Sequence, residues 1–170
     1  MKSADVLSLA HALDDLGVLW WFDGGWGVDC LLGEETREHS DVDLVVDRRH
    51  VDRVTRFLEH QGFRVIRDWL PTSLALRDDG GREVDLHPVD VTEDGGGDQR
   101  LQDGTVWHYS APVEGTIGGH SVPCASAQDQ LVMHLGYEPR PVDVADVRRI
   151  AEHFDLPAPP PFDGPSQDQH

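Results

Sequence analysis

Hydrophobic positions in the first segment recur at spacings of three and four: Val6, Leu7, Ala10, Leu13 and Leu16. That spacing lines one side of a helix, predicted from a cap at Ser3 to about Leu16, with Gly17 as its stop. Val18 to Asp23 is a short apolar run before Gly24-Gly25 and predicts a buried strand. Trp26 to Leu32 predicts a short helix closed by Gly33, and Glu34 to Ser40 a polar loop. Asp41 to Asp47, D-V-D-L-V-V-D, is the clearest strand. An amphipathic helix follows over Val51–Gln61, with Val51, Val54, Phe57 and Leu58 on one side.

Further strands are predicted over Phe63–Trp69, Thr72–Arg77 and Arg82–Val89, the last two as a hairpin turning at Asp79-Gly80-Gly81. Glu93–Asp103, with its three glycines, is expected to be a loop. Val106–Tyr109 and Gly115–Pro123 add extended edges. Ser126 caps a helix to Leu135, and Val142–Phe154 forms the last one. The order predicts an α+β (α/β) chain: a mixed β-sheet flanked by helices, with a short C-terminal helical segment. Residues 1–125 are expected to form the core and 126–156 to pack helices on it. The tail 157–170, rich in Pro, Asp and Gln, is expected to be disordered.

At 170 residues the chain is long enough for one compact domain. It carries 14 basic against 32 acidic residues, a net charge of −18. Such a surface repels nucleic acid and attracts divalent metals and cationic small molecules; acidity also serves solubility alone. Cys30 and Cys124 form no C-x-x-C pair, which points to a reduced, cytoplasmic setting without a zinc knuckle. The N-terminus meets Asp5 before any long apolar run, so no signal peptide is expected, and no run is long enough for a bilayer.

The chemistry concentrates around Asp41 and Asp43. Residues i and i+2 of a strand share a face, so the two carboxylates stand side by side and repel. A hard divalent cation would neutralise them; two acids at a solvated strand opening are the plainer reading. Upstream, Asp23-Gly24-Gly25-Trp26-Gly27 joins a strand to a helix, and such a turn lets backbone amides approach an anion. It also serves as a simple tight turn. In Glu83-Val84-Asp85-Leu86-His87 the polar residues alternate onto one face. A carboxylate there could complete a metal site or act as a general base. His87, before Pro88, is expected to pack or hydrogen-bond.

Taken together, Gly24-Gly25, Asp41-x-Asp43 and an acid on a later strand resemble the polymerase-beta-like nucleotidyltransferase superfamily. Trp21–Asp29, Arg37–Asp43 and Val84–Val89 look like the small antibiotic nucleotidyltransferases, the lincosamide enzymes and their aminoglycoside-modifying relatives. Val122-Pro123-Cys124, His134–Tyr137, Asp143 and Asp146 add weaker matches. The resemblance implies the nucleotidyltransferase fold and Mg²⁺ (two ions, or Mn²⁺) held by Asp41, Asp43 and Asp85. It implies Gly24, Gly25 and Trp26 cradling a triphosphate, with Arg37 and His39 touching phosphate. It makes Asp85 the catalytic base, with Glu83 on the same face as the rival. The wider superfamily has Gly-Ser where Gly25-Trp26 stands, so that hydroxyl contact is missing.

The reaction so implied moves a nucleoside monophosphate from an NTP, ATP first, to a hydroxyl of a cationic acceptor such as a lincosamide or aminoglycoside. Trp69, Trp107 and Tyr109 could wall the acceptor or belong to the core. A homodimer sharing acceptor sites is a further expectation. The alternatives are a nucleotidyltransferase-type antitoxin that modifies a protein partner, and an idle nucleotide-binding module.

Overall fold

The computed structural model describes residues 1–135 and 138–162. Helix α1 (Ser3–Asp15) leads into β1 (Trp20–Asp23), α2 (Gly24–Leu32) and β2 (Asp41–Asp47). A 3₁₀ turn at Arg48–His50 precedes α3 (Val51–His60), then β3 (Arg64–Trp69), β4 (Ser73–Arg77) and β5 (Glu83–Val91). Strands β6 (Gly97–Arg100), β7 (Val106–Tyr109), β8 (Val113–Ile117) and β9 (His120–Cys124) follow, and α4 (Ala127–Met133) and α5 (Pro141–His153) complete the described elements.

The strands form one mixed sheet in the order β3-β4-β5-β2-β1-β9-β8, with β6 joining the far end of β5 and pairing with β7. Strands β2 and β5 run parallel, while β1 lies antiparallel to β2. Alternation sorts their side chains between two faces. Val42, Leu44, Val46, Val84, Leu86, Trp20 and Phe22 enter the main core, together with Val6, Leu9 and Leu13 of α1 and Val54 and Leu58 of α3. The opposite face is apolar only toward one end, where Trp21, Val45, Val89, Tyr109 and Ala125 cluster. A third cluster joins Val28 of α2 to Leu131 of α4 and to Val147 and Ile150 of α5. The C-terminal helices are thereby fixed to the helix that follows the glycine turn.

Several expectations change. Ser3 opens α1 without capping it; its hydroxyl donates to Glu35 instead. The expected loop at 93–103 contains β6, which carries no large apolar residue that periodicity could detect. Its glycine serves a close approach, since a Cβ on Gly97 would stand 2.6 Å from Val89 Cγ2. Gly115–Pro123 forms a tight hairpin, β8 and β9, instead of a plain edge. Within the segment expected to be disordered from Pro157, Phe162 is 2% exposed and packs in the third cluster. Residues 163–170 of that tail, and Gly136 and Tyr137 of the matched stretch, lie outside the described residues.

Arginine–carboxylate pairs tie the loops. Asp47 ends β2 and accepts from the Arg49 backbone N–H at 2.9 Å and from its guanidinium at 2.6 Å. Burial raises the pKa of Asp47, but the Arg49 bonds outweigh it and hold the carboxyl below its usual value. Asp143 is lowered in the same way by Arg140, again against burial. A depressed folded-state pKa adds stability above the unfolded value of about 3.9, which is lost as acid protonates the group. Asp47→Ala is therefore expected to cost roughly 1–2 kcal/mol at neutral pH, as for loss of a cap. The gap to the parent protein should shrink below about pH 4, where the parent loses the same interaction. Urea unfolding of both proteins across that range measures it.

Candidate active site

Strand register builds the site. Asp43 of β2 lies opposite Asp23 of β1 on one side and opposite Asp85 of β5 on the other. Three carboxylates thus stand in a row across three strands, on the face away from the main core. Asp41 and Glu83 form the next pair outward. Asp41 is exposed at the rim, with Ser40 Oγ 3.2 Å from its carboxylate.

Each carboxylate has a distinct environment. Asp23 is 5% exposed; its two oxygens accept from Tyr109 Oη at 2.8 Å and Gln130 Nε2 at 3.0 Å. Burial and the Asp23 charge push the Tyr109 hydroxyl well above its usual pKa, so it stays a donor. Asp43 Oδ1 faces His87 Nε2 at 3.1 Å. Burial raises the pKa of Asp43, opposed by His87 and reinforced by Asp41 and Asp23. For His87, burial lowers the pKa, but the Asp43 bond and the charges of Asp43, Asp85 and Asp23 outweigh it and lift it to about 9. Asp85 Oδ2 accepts from Arg67 Nη2 at 2.5 Å, while Asp85 Oδ1 is buried with no hydrogen-bond partner among the described residues. Arg67 in turn lies over the Trp69 ring, 4.9 Å from its centre.

Glu83 is placed differently from Asp85. It accepts from Arg77 Nη2 at 2.6 Å, and its other oxygen lies 3.8 Å from Arg67 Nη1, the arginine that also binds Asp85. Asp43, Asp85 and His87 offer ligand atoms within 4.8 Å of one another; Asp41 is not in that group, although it lines the same cleft.

Helix α2 begins two residues earlier than expected, at Gly24, directly after the buried Asp23. The amides of Gly24, Gly25 and Trp26 therefore form its first turn, which lacks intrahelical acceptors. Gly24 has φ +54, and a Cβ there would stand 2.1 Å from Asp43 Oδ2. The turn and the carboxylate are packed that closely. Gly25 is pressed from behind, since its Cβ would meet Arg37 Nη2 and His39 Nδ1, each at 2.5 Å.

The expected phosphate contacts separate here. Arg37 lines the cleft beside Gly25 and is held by Asp146 Oδ2 at 3.1 Å. His39, expected at phosphate, is 5% exposed, bonded through Nε2 to Asp29 Oδ2 at 2.5 Å and packed on the Trp26 ring. It supports the turn from below and does not line the cleft. The Trp26 side chain is likewise buried in the main core, so only its backbone faces the turn. Among the aromatic residues expected at the acceptor, Tyr109 is core and Trp107 half-buried, while Trp69 is 53% exposed.

The cleft in front of Asp23 and Asp43 holds about 360 Å³ and is bordered by α4 and α5; Asp85 is not among the residues that line it. Met133, His134, Arg140, Asp143 and Asp146 line it, so the C-terminal helices contribute to the site as well as packing on the core. Gln130, Gln99 and Arg67 escaped sequence reasoning, as did the roles of Asp23 and Tyr109 in the row. Only Asp23 left a usable signal, an acid ending the otherwise apolar run W-W-F-D. The cysteines stay outside this chemistry: both are buried thiols, and burial pushes Cys124 up to about 12.

A mixed sheet bearing a carboxylate row before a glycine turn and helix N-terminus defines a nucleotidyltransferase. The aminoglycoside-2''-adenylyltransferase family model matches residues 5–150, and the chain belongs to that family. A lincosamide resistance protein from Staphylococcus haemolyticus is 31% identical over 148 residues, covering 86% of this chain and 92% of its own. The lincomycin-bound lincosamide antibiotic adenylyltransferase LnuA superposes with a TM-score of 0.80 at 28% identity, covering 88% of this chain and 96% of its own. ANT(2'')-Ia in complex with adenylyl-2''-tobramycin shares the fold, with a TM-score of 0.70 at 19% identity, over 89% and 88% of the two chains.

Gly24→Ala is expected to displace the Asp43 carboxylate, for want of space and because φ is positive. A loss of at least about 1 kcal/mol in stability should accompany it, since alanine is strained at such a φ. Differential scanning calorimetry measures the stability. A crystal structure of the variant with Asp43 in its parent position would refute the packing argument.

Proposed function

We propose that this chain transfers a nucleoside monophosphate, AMP from ATP, to a hydroxyl of a small cationic antibiotic, a lincosamide or aminoglycoside, with release of pyrophosphate. The observation that carries the proposal is Asp43 and Asp85 side by side before the Gly24 turn, with Asp85 Oδ1 buried and unpartnered. Its relatives' names supply the acceptor class, and the net charge of −18 suits a cation.

The donor set fits Mg²⁺. It is made of carboxylate oxygens, which a hard ion prefers, and one of them lacks any other partner among the described residues. Asp41, Asp43 and Asp85 would hold the metal, Asp41 reaching in from the rim. Mg²⁺, or Mn²⁺, would neutralise the triphosphate and its leaving pyrophosphate and acidify the attacking hydroxyl. The first-turn amides of α2 bind phosphate oxygens, helped by the positive end of the helix. Arg37 adds a cation beside Gly25, held in place by Asp146. Asp85 takes the proton of the acceptor hydroxyl through Oδ1, the oxygen not bonded to Arg67, whereas each Glu83 oxygen lies near an arginine.

The test is pyrophosphate release with Mg²⁺, each of the four nucleoside triphosphates and a panel of lincosamides and aminoglycosides. Asp43→Asn is expected to abolish turnover with the fold intact by circular dichroism. Comparable turnover in that variant would sink the metal assignment. Asp85→Asn should lower kcat by roughly 10²–10⁴-fold, the range for removing a general base, while Mg-nucleotide binding by calorimetry is largely kept. Equal loss of binding would make Asp85 mainly a ligand.

A further inference from the structure

The two ring nitrogens of His87 face different partners, and the direction of both bonds can be traced to a backbone carbonyl. Gln99 of β6 is 3% exposed, and its Nε2 lies 2.8 Å from the Thr72 carbonyl oxygen. A carbonyl only accepts, so the group facing it must be the amide NH₂. The same Nε2 lies 3.2 Å from His87 Nδ1. With one proton given to Thr72, the other points at Nδ1, which must accept. The ring proton then sits on Nε2, 3.1 Å from Asp43 Oδ1.

From this we propose that His87 is a positioning residue and not a metal ligand. The chain Thr72–Gln99–His87 holds Asp43 Oδ1 and leaves Oδ2 at the Gly24 turn. This rests on the metal reading above and refines it: carboxylates bind the ion, and the histidine orients one of them, as outer partners of ligating groups do.

The rival is direct ligation, since His87 lies with Asp43 and Asp85 inside 4.8 Å. Ligation needs a lone pair on Nε2 and so a proton on Nδ1. That proton would meet the Gln99 NH₂ donor to donor. Turning the amide over would set its oxygen against the Thr72 oxygen and forfeit the Thr72 bond. A doubly protonated ring meets the same obstacle at Nδ1. The decisive state is the Mg²⁺-loaded protein, in which Asp43 and Asp85 would hold the ion beside His87.

Three measurements decide the matter on the full chain. Long-range ¹H–¹⁵N correlation spectra of ¹⁵N-histidine protein in excess Mg²⁺ should show His87 protonated at Nε2 and bare at Nδ1. The Nδ1–H tautomer, or a doubly protonated ring, would overturn the proposal. With Mn²⁺ in place of Mg²⁺, electron spin-echo modulation should show no directly bound ¹⁴N; such a coupling would equally overturn it. Gln99→Met should erase the tautomer preference and weaken Mn²⁺ binding about tenfold. The His87→Gln side chain can still donate to Asp43, so it should keep Mn²⁺ affinity where His87→Leu loses it. If neither preference nor affinity moves in Gln99→Met, the chain is not what orients Asp43. Absence of any Mn²⁺ binding would refute the metal reading instead, and the tautomer spectrum would still judge the hydrogen-bond chain.

Discussion

Parallel pairing of β2 with β5 sets Asp43 beside Asp85, at the strand spacing of about 4.8 Å, while the antiparallel partner β1 sets Asp23 on the other side. Two like charges at about 4 Å repel by roughly 1 kcal/mol in water and 4 kcal/mol at the effective dielectric near a protein surface. Three in a row are costly, and the surrounding structure is organised to bear that cost. Tyr109 and Gln130 satisfy Asp23, His87 faces Asp43, and Arg67 covers one oxygen of Asp85. The oxygen left over, Asp85 Oδ1, marks where the compensation is incomplete.

The same row explains why distant segments converge. Tyr109 comes from β7 and Gln130 from α4, both far along the chain, and both end on Asp23. Gln130 also sets the limit at Gly27, where a Cβ would stand 2.4 Å from its Nε2. Helix α4 can therefore approach α2 only over a glycine, and the third core cluster locks that approach.

Much of this was legible along the chain. The apolar strands, the helix periods and the stops at Gly33 and Gly62 are local signals, and local signals predicted nearly every element. Asp41, Asp43 and Asp85 were legible because alternation within a strand assigns them a face. What alternation cannot supply is register: nothing in the sequence says that Asp23 and Asp85 flank Asp43 and that Glu83 falls one pair outward. Strand β6 was hidden because Gly97-Asp98-Gln99-Arg100 has no apolar period, yet it delivers Gln99 to His87. His39 misled for the opposite reason, being polar and close in sequence to the acids, but buried against Asp29 beneath the glycine turn.

Net charge and cleft have the same sign: Asp23, Asp41, Asp43, Asp143 and Asp146 line the cleft against Arg37 and Arg140. A chain at −18 repels anions at a distance, and a nucleotide triphosphate is an anion. The basic residues are few, yet Arg37 and Arg140 both line the cleft, and the amides of the α2 first turn open onto it. Screening reduces the long-range repulsion to little beyond about 8 Å at physiological salt, whereas contacts inside a partly enclosed cleft are screened far less. A bound nucleotide is thus governed by these nearby donors and by the metal proposed for the acids. On the proposed function, the metal and the nearest donors would admit the anion, while the acidity of the surface would draw the cationic acceptor.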